Sequence, residues 1–294
     1  MIPTFNIRMI KVSIWVKLLL AIPAALVAQR GMVALGGWLT MKLLPAQGAN
    51  PMSTMLPVAA TCSALAFVLV ASLFTLLLDK QPLSVLGFQL KNALRRSSMG
   101  IGVAMLIIGL IALVLWMLGY AAFWYSGLAF LQVASMLFTM IMIAIGEECF
   151  CRGYIQRNLQ QKLSPLTALV ISAAVFMLMH IGNPSKNMLA MPGIFTGGLL
   201  LGINYLYTGN LWFGIALHTS WNFIQGPLLG FVVSGLHLPS VLIQTNTGPD
   251  WMTGGSFGPE ASVLACVLNI AMTILLSKYF RKQLATTTPT VAYQ

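Results

Sequence analysis

The chain is a succession of apolar runs, each about as long as a bilayer's hydrocarbon core is thick. A helix needs roughly 20 apolar residues to cross that core. Eight segments qualify: about Val12–Ala28, Met55–Leu78, Met99–Ala121, Leu128–Glu148, Pro165–Ile181, Leu189–Tyr207, Leu211–Val233 and Ala261–Tyr279. Arg30 interrupts the first, and Gly31–Leu44 reads as a second, semi-apolar piece of interfacial character. Backbone in lipid must satisfy its own hydrogen bonds, which selects helices for runs of this length. The expected fold class is all-α, a polytopic membrane bundle of about eight transmembrane helices.

Charge orients the bundle. Only 7% of the 294 residues are charged, against about a quarter in a soluble domain. The net charge of +11 invites a nucleic-acid reading. The cations instead stand singly or in small groups at the ends of apolar runs, so the expected partner is the lipid bilayer and no nucleic acid. With the N-terminus inside, 13 of the 16 Lys and Arg residues fall on cytoplasmic connections, leaving Arg30, Lys42 and Lys186 on the other side. That bias supports an even number of spans with both termini cytoplasmic. Arg8 to Lys17 followed by an apolar run resembles a signal sequence. It has no small-residue cleavage site and reads as an uncleaved first helix. Cys62, Cys149, Cys151 and Cys266 show no metal-ligand spacing and read as small core residues. The loop Asn246–Pro259 reads as a flexible outer connection, and Ala285–Gln294 as a frayed polar tail.

Against this background the pair Glu147-Glu148 stands out, because the chain has only five acidic residues. An ionisable group at bilayer depth costs roughly 2.5–3.5 kcal/mol on insertion scales unless it is paired or wetted. Glu148 and Arg152 are four apart on a helix, with the acid N-terminal, the favourable order for an ion pair. Glu147 is turned about 100° away and need not share that partner. The spacing yields one paired and one available carboxylate, the second suited to general-base work. A purely structural ion cluster is the competing reading.

Two of the three histidines, His180 and His218, lie in apolar segments. His218 and Asn222 are four apart and face one way on a helix, as two convergent donors for an oxyanion. Interhelical hydrogen bonding is the plainer alternative. His237, beside Pro239, reads as an interfacial residue. If the fourth and fifth segments form a hairpin turning at Leu163-Ser164-Pro165, Glu147 and His180 fall at one level, about 25 Å from the turn. His218 reaches that level only if the hairpin protrudes into the cytoplasm. A Glu-His pair facing a His-Asn pair fits water activation with an oxyanion site, which is hydrolysis of a carbonyl compound, most naturally a peptide bond. Glu, His and His suit a metal as well. However, His-Glu-x-x-His is absent and no second pair has ligand spacing, so no metal and no cofactor is expected.

Three spaced motifs stand in order: Glu147-Glu148-Cys-Phe-Cys-Arg152, Phe176-Met-Leu-Met-His180 and His218-Thr-Ser-Trp-Asn222. The set resembles the CAAX prenyl protease and bacteriocin-processing family of intramembrane glutamic endopeptidases. The resemblance implies a helical membrane fold with a cavity open to the cytoplasm. It implies that Glu147 and His180 activate the attacking water, that His218 and Asn222 hold the oxyanion, and that Glu148 and Arg152 support them. It also implies a protein or peptide substrate, prenylated in the eukaryotic branch and bacteriocin-like in some bacterial members. The compact chain reads as a bacterial inner-membrane member.

The expected division is a motif-free N-terminal part (1–125), a catalytic core (126–235), and an outer loop, last helix and tail (236–294). Two other readings compete: a non-catalytic immunity or scaffold protein, and a transporter using Glu147 as its proton site. Transporters favour inverted repeats with broken helices in matching halves. The helix carrying Gly193, Gly197, Gly198 and Gly202 has no such partner, and close helix packing explains it more simply.

Overall fold

The structure, a computed structural model, describes residues 13–43 and 51–287. Arg8, Lys11 and residues 288–294 of the polar tail lie outside them. The chain folds as a helical bundle: α1 (Ile14–Leu43), α2 (Pro51–Leu77), α3 (Ala93–Met117), α4 (Phe130–Glu148), α5 (Arg157–Gln160), α6 (Pro165–Met179), α7 (Ala190–Thr208), α8 (Trp212–Phe223), α9 (Asp250–Thr253) and α10 (Val263–Thr287). Five helical rods among the described residues are long and apolar enough to cross a membrane: α1, α2, α3, the continuous Phe130–Gln160 and α10. Their outward faces carry exposed Leu19, Leu69, Leu106, Leu113 and Leu275, which suits contact with lipid. The remaining three of the eight expected segments are α6, α7 and α8, which are shorter or more polar; α7 and α8 are the more buried, while α6 exposes Leu166, Val170 and Leu178.

α1 runs unbroken through Arg30, so Gly31–Leu44 is part of the first helix and forms no separate piece up to Leu43. A lone arginine does not end a helix, since its backbone propensity is good. Two short strands, β1 (Ala121–Tyr125) and β2 (Leu242–Asn246), pair antiparallel from Ala121–Asn246 to Tyr125–Leu242. They occupy connections that the helical pattern leaves as loops.

One end of the bundle is tied by charge. Asp79, just past α2, accepts from Lys17 Nζ at 2.6 Å, from Asn158 Nδ2 at 3.0 Å and from Arg157 Nη2. The same end holds the turn between α7 and α8, where Gly209 takes the left-handed conformation that stops a helix (φ 58°). Asn210 Oδ1 there accepts from Trp212 N–H and starts α8. The opposite end is tied by loops. Asn183 Nδ2 donates to Ser234 O, Asn187 Nδ2 to Gly254 O, and Gly235 N–H to Phe257 O.

Two helix approaches position the centre. A Cβ on Gly146 would lie 2.7 Å from Ala64 Cα, so glycine lets α2 press against α4 one residue before Glu147. A Cβ on Gly198 would lie 3.1 Å from Ala173 Cα on α6. The glycines of α7 are thus packing residues, and they bare backbone carbonyls to a neighbour. Arg152 Nη2, Gln156 Nε2 and Gln160 Nε2 donate to the carbonyls of Gly198, Gly202 and Leu206 at 2.9, 3.1 and 3.2 Å. Donors spaced by four meet acceptors spaced by four, which fixes the register of α7 against the rod.

Candidate active site

After Glu148 the rod widens into a fully buried π-helical segment, Cys149–Gln156. Such widened turns recur at functional sites. Gly153 within it packs against the Leu86 carbonyl, which a Cβ would meet at 2.7 Å. Arg152 lies one turn from Glu148, and its Nη1 donates to Glu148 Oε1 at 2.9 Å. The guanidinium also stacks 4.6 Å from the centre of the Phe176 ring. The pair anticipated from the four-residue spacing is present and dry, with side chains 1% and 0% exposed. Gly214 on α8 makes room for it, since a Cβ there would lie 2.8 Å from Glu148 Oε2.

Glu148 has a second partner. His218 Nδ1 stands 3.2 Å from Glu148 Oε1. A carboxylate only accepts, so Nδ1 carries the hydrogen and the imidazole is held in one orientation. Its Nε2 then points the other way, 4.0 Å from Glu147 Oε2. This refines the spacing argument, in which neutral His218 donates to an oxyanion. The single N–H of the neutral ring is committed to Glu148, and a donor at Nε2 exists only in the imidazolium.

His180 is set by a different device. α6 begins well capped, with Pro165 at its first position and Thr167 N–H donating to Ser164 Oγ at 3.2 Å. It ends at Met179, so His180 is its C-cap. The His180 amide tightens to the Met177 carbonyl, leaving the Phe176 carbonyl for the His180 ring. Nδ1 donates to it at 2.8 Å. Phe-x-x-x-His is therefore a helix end whose ring satisfies its own last turn. The Phe176 ring packs 4.6 Å from the His180 ring and 5.8 Å from His218, wedged between both histidines and Arg152. His180 Nε2 is left free to face Glu147 Oε2 at 3.9 Å.

The structure thus brings Glu147, Glu148, Arg152, His180 and His218 into one cluster. Glu147 has the most exposed side chain of the five, 18% against 0% for Glu148. Its Oε2 is buried, makes no hydrogen bond within the protein and faces two imidazole nitrogens. All of Glu147, His180, His218 and Asn222 line one cavity of about 270 Å³.

Two lining residues carry no sequence signal, because they lie outside the three motifs. Asn269 on α10 is 1% exposed, and neither its amide nitrogen nor its oxygen is hydrogen-bonded. Glu260, in the turn before α10, accepts from Ser234 Oγ at 2.5 Å and from Gln225 Nε2 at 3.0 Å. Burial pushes the Glu260 carboxyl above its ordinary value, against smaller lowering effects of the Ser234 and Gln225 bonds and of His180. A carboxyl raised by folding contributes stability that is complete below its unfolded value, near 4.5, and is lost as pH rises through the folded value. The melting temperature of wild type should therefore fall, relative to Glu260→Gln, as pH rises from about 4.5. Parallel melting curves across that range would refute it.

Residues 129–224 match the model of the Rce1-like family, type II CAAX prenyl endopeptidases. The matched segment resembles an Rce1-like domain. It covers about a third of the chain and contains all three motifs and the whole charged cluster. No curated protein matches the chain. The Rce1-like domain supports a CAAX-type protease in general, set in a bundle of membrane helices. Glu260 and Asn269 lie C-terminal to it and line the same cavity.

Proposed function

We propose that the chain is an intramembrane endopeptidase whose Glu147 and His180 activate water for attack on a peptide bond. The observation that carries this is the convergence of two oriented imidazoles on one unpartnered carboxylate oxygen. A water held between Glu147 Oε2 and His180 Nε2 has a proton acceptor on each side. Loss of a proton to Glu147 makes it a nucleophile toward a carbonyl carbon in the cavity. The developing oxyanion is met by Asn222 and by the imidazolium form of His218, whose second N–H Glu148 supports from behind. Collapse of the tetrahedral adduct returns the proton from Glu147 to the departing amine, so the group serves as base and then as acid. Glu148 and Arg152 act by position. The substrate is a protein or peptide, either near the C-terminus of a lipidated protein or within a bacteriocin-like peptide. The setting is a bacterial inner membrane, with both termini cytoplasmic.

Asn269 suits the substrate's main chain, because its free donor and acceptor match the two polar groups of a peptide unit. Asn269→Leu should raise KM for peptide cleavage about tenfold, the equivalent of one or two lost hydrogen bonds. It should leave kcat near wild type and not lower the melting temperature, since it removes an unsatisfied buried amide. A fall in melting temperature with unchanged KM would make Asn269 a packing residue.

The proposal is tested with purified protein in detergent, a prenylated C-terminal peptide and a pool of internally quenched apolar peptides. Cleavage at a defined bond by wild type supports the reading. Its persistence in Glu147→Gln would overturn it.

A further inference from the structure

The cavity belongs to one end of the bundle. Its lining includes Asn183 from the connection between α6 and α7, and Val233, Ser234, Leu236, Leu238 and Glu260 from the connection between α8 and α10. No lining residue comes from connections 78–92, 161–164 or 209–211, which lie at the other end. That these three share an end follows from their contacts. Asp79 pairs with Arg157, Asn210 Nδ2 donates to Gln89 O, and Leu211 N–H donates to Gly87 O. Arg95 Nη2 donates to Tyr279 OH, placing the C-terminal turns of α10 there too.

Charge separates the two ends. The other end carries Lys80, Lys91, Lys162, Lys278, Arg281 and Lys282, together with Lys17 and Arg157, which pair with Asp79 there. The cavity end carries fewer, with Lys186 and Asp250 in its loops and Lys42 in the last turn of α1, whose first turn holds Lys17 on the basic end. Cations concentrate on the cytoplasmic side of a membrane protein. The basic end is then cytoplasmic, and the loops that line the cavity face away from the cytoplasm.

We infer that this site takes its substrate from the non-cytoplasmic side, as a peptide segment displayed at the outer face of the membrane. The inference rests on the protease reading and narrows its substrate class. It departs from the cytoplasmic opening that the family resemblance implies. A lipidated C-terminus held in the cytoplasmic leaflet would approach the end whose connections contribute nothing to the cavity. An exported peptide, or the outer juxtamembrane stretch of a membrane protein, meets Leu236 and Ser234 at the end where the lining loops lie. Leu236 is 44% exposed and reaches both the surface and the cavity.

The test uses the full chain with Cys62 and Cys266 changed to Ala, leaving the buried Cys149 and Cys151. Leu236→Cys and Ser256→Cys report the cavity end, and Ser84→Cys reports the basic end. Each is treated with a membrane-impermeant maleimide in right-side-out and in inverted membrane vesicles. The expected result is labelling of the two cavity-end variants in right-side-out vesicles alone and of Ser84→Cys in inverted vesicles alone. Hydrolysis of a quenched peptide pool added outside should be lost on labelling Leu236→Cys and kept on labelling Ser84→Cys. The reverse labelling pattern, or labelling of the cavity-end cysteines from both sides, overturns the inference. So does hydrolysis only of peptide supplied to the basic end. Labelling requires no catalysis, so the side is decided even where failure to cut any peptide would defeat the protease reading.

Discussion

Glu147→Gln is expected to lower kcat for peptide cleavage by about 10²–10⁴-fold, the range contributed by a positioned proton acceptor. KM should hold near wild type, because the amide fills the same space. Glutamine cannot take the proton, and the free Nε2 of His180 alone then faces the water. The melting temperature should not fall. Glu147 Oε2 has no hydrogen bond within the protein to lose, and neutralising a partly buried carboxylate removes a desolvation cost. His180→Ala should give a loss of similar order. If the two groups act as one unit on one water, the double variant should be little worse than either single. Steady-state rates on the same peptide, with melting curves for each variant, check this. Multiplying losses would show that Glu147 and His180 act in separate steps.

Arg152→Met should be the most destabilising substitution in the chain's centre, by about 3–5 kcal/mol, the usual consequence of removing one partner of a buried ion pair. It leaves the Glu148 carboxylate, 0% exposed, with His218 as its remaining hydrogen-bonding partner. It also breaks the bond to the Gly198 carbonyl and the stack on Phe176, so the rod, α7 and α6 loosen together. Glu148→Gln in the same chain removes the stranded charge and should recover part of the lost melting temperature. Activity should stay low in that double variant, because a neutral amide at this position does not anchor His218 as a carboxylate does. Thermal unfolding followed by tryptophan fluorescence, beside cleavage rates, separates the two effects. An Arg152→Met protein as stable as wild type would show that the pair is not what holds these helices.

What the sequence discloses about the site depends on helical spacing. Glu148 and Arg152 are four apart, and the ion pair follows directly. Glu147 and His180 lie at nearly equal distances from the Leu163–Pro165 turn, and the two side chains do face each other at 3.9 Å. The orientation of His218 is not legible, because it depends on Glu148 serving two partners across α8 and the rod. Nor does the spacing reveal that His180 stands just beyond the end of α6, where ring and carbonyl satisfy each other. Asn269 and Glu260 are silent for another reason. Each is a lone polar residue in or beside an apolar run, and only tertiary packing brings it to the cavity. The β1–β2 pair is hidden by its five-residue strands, joined across more than a hundred intervening residues. The eight apolar segments announce the bundle, yet length and apolarity alone single out five rods, because the helices around the site are shorter or more polar.

The central claim is that this cluster cuts peptide bonds with a Glu147-activated water. The most direct measurement is a single-turnover cleavage in ¹⁸O-labelled water by the purified wild-type chain, with both products sequenced by mass spectrometry. The account predicts one ¹⁸O in the new carboxyl terminus within the first turnover, and no product from Glu147→Gln made and folded in parallel. A new carboxyl terminus with no ¹⁸O in that first turnover, or equal product from the two proteins, would contradict it.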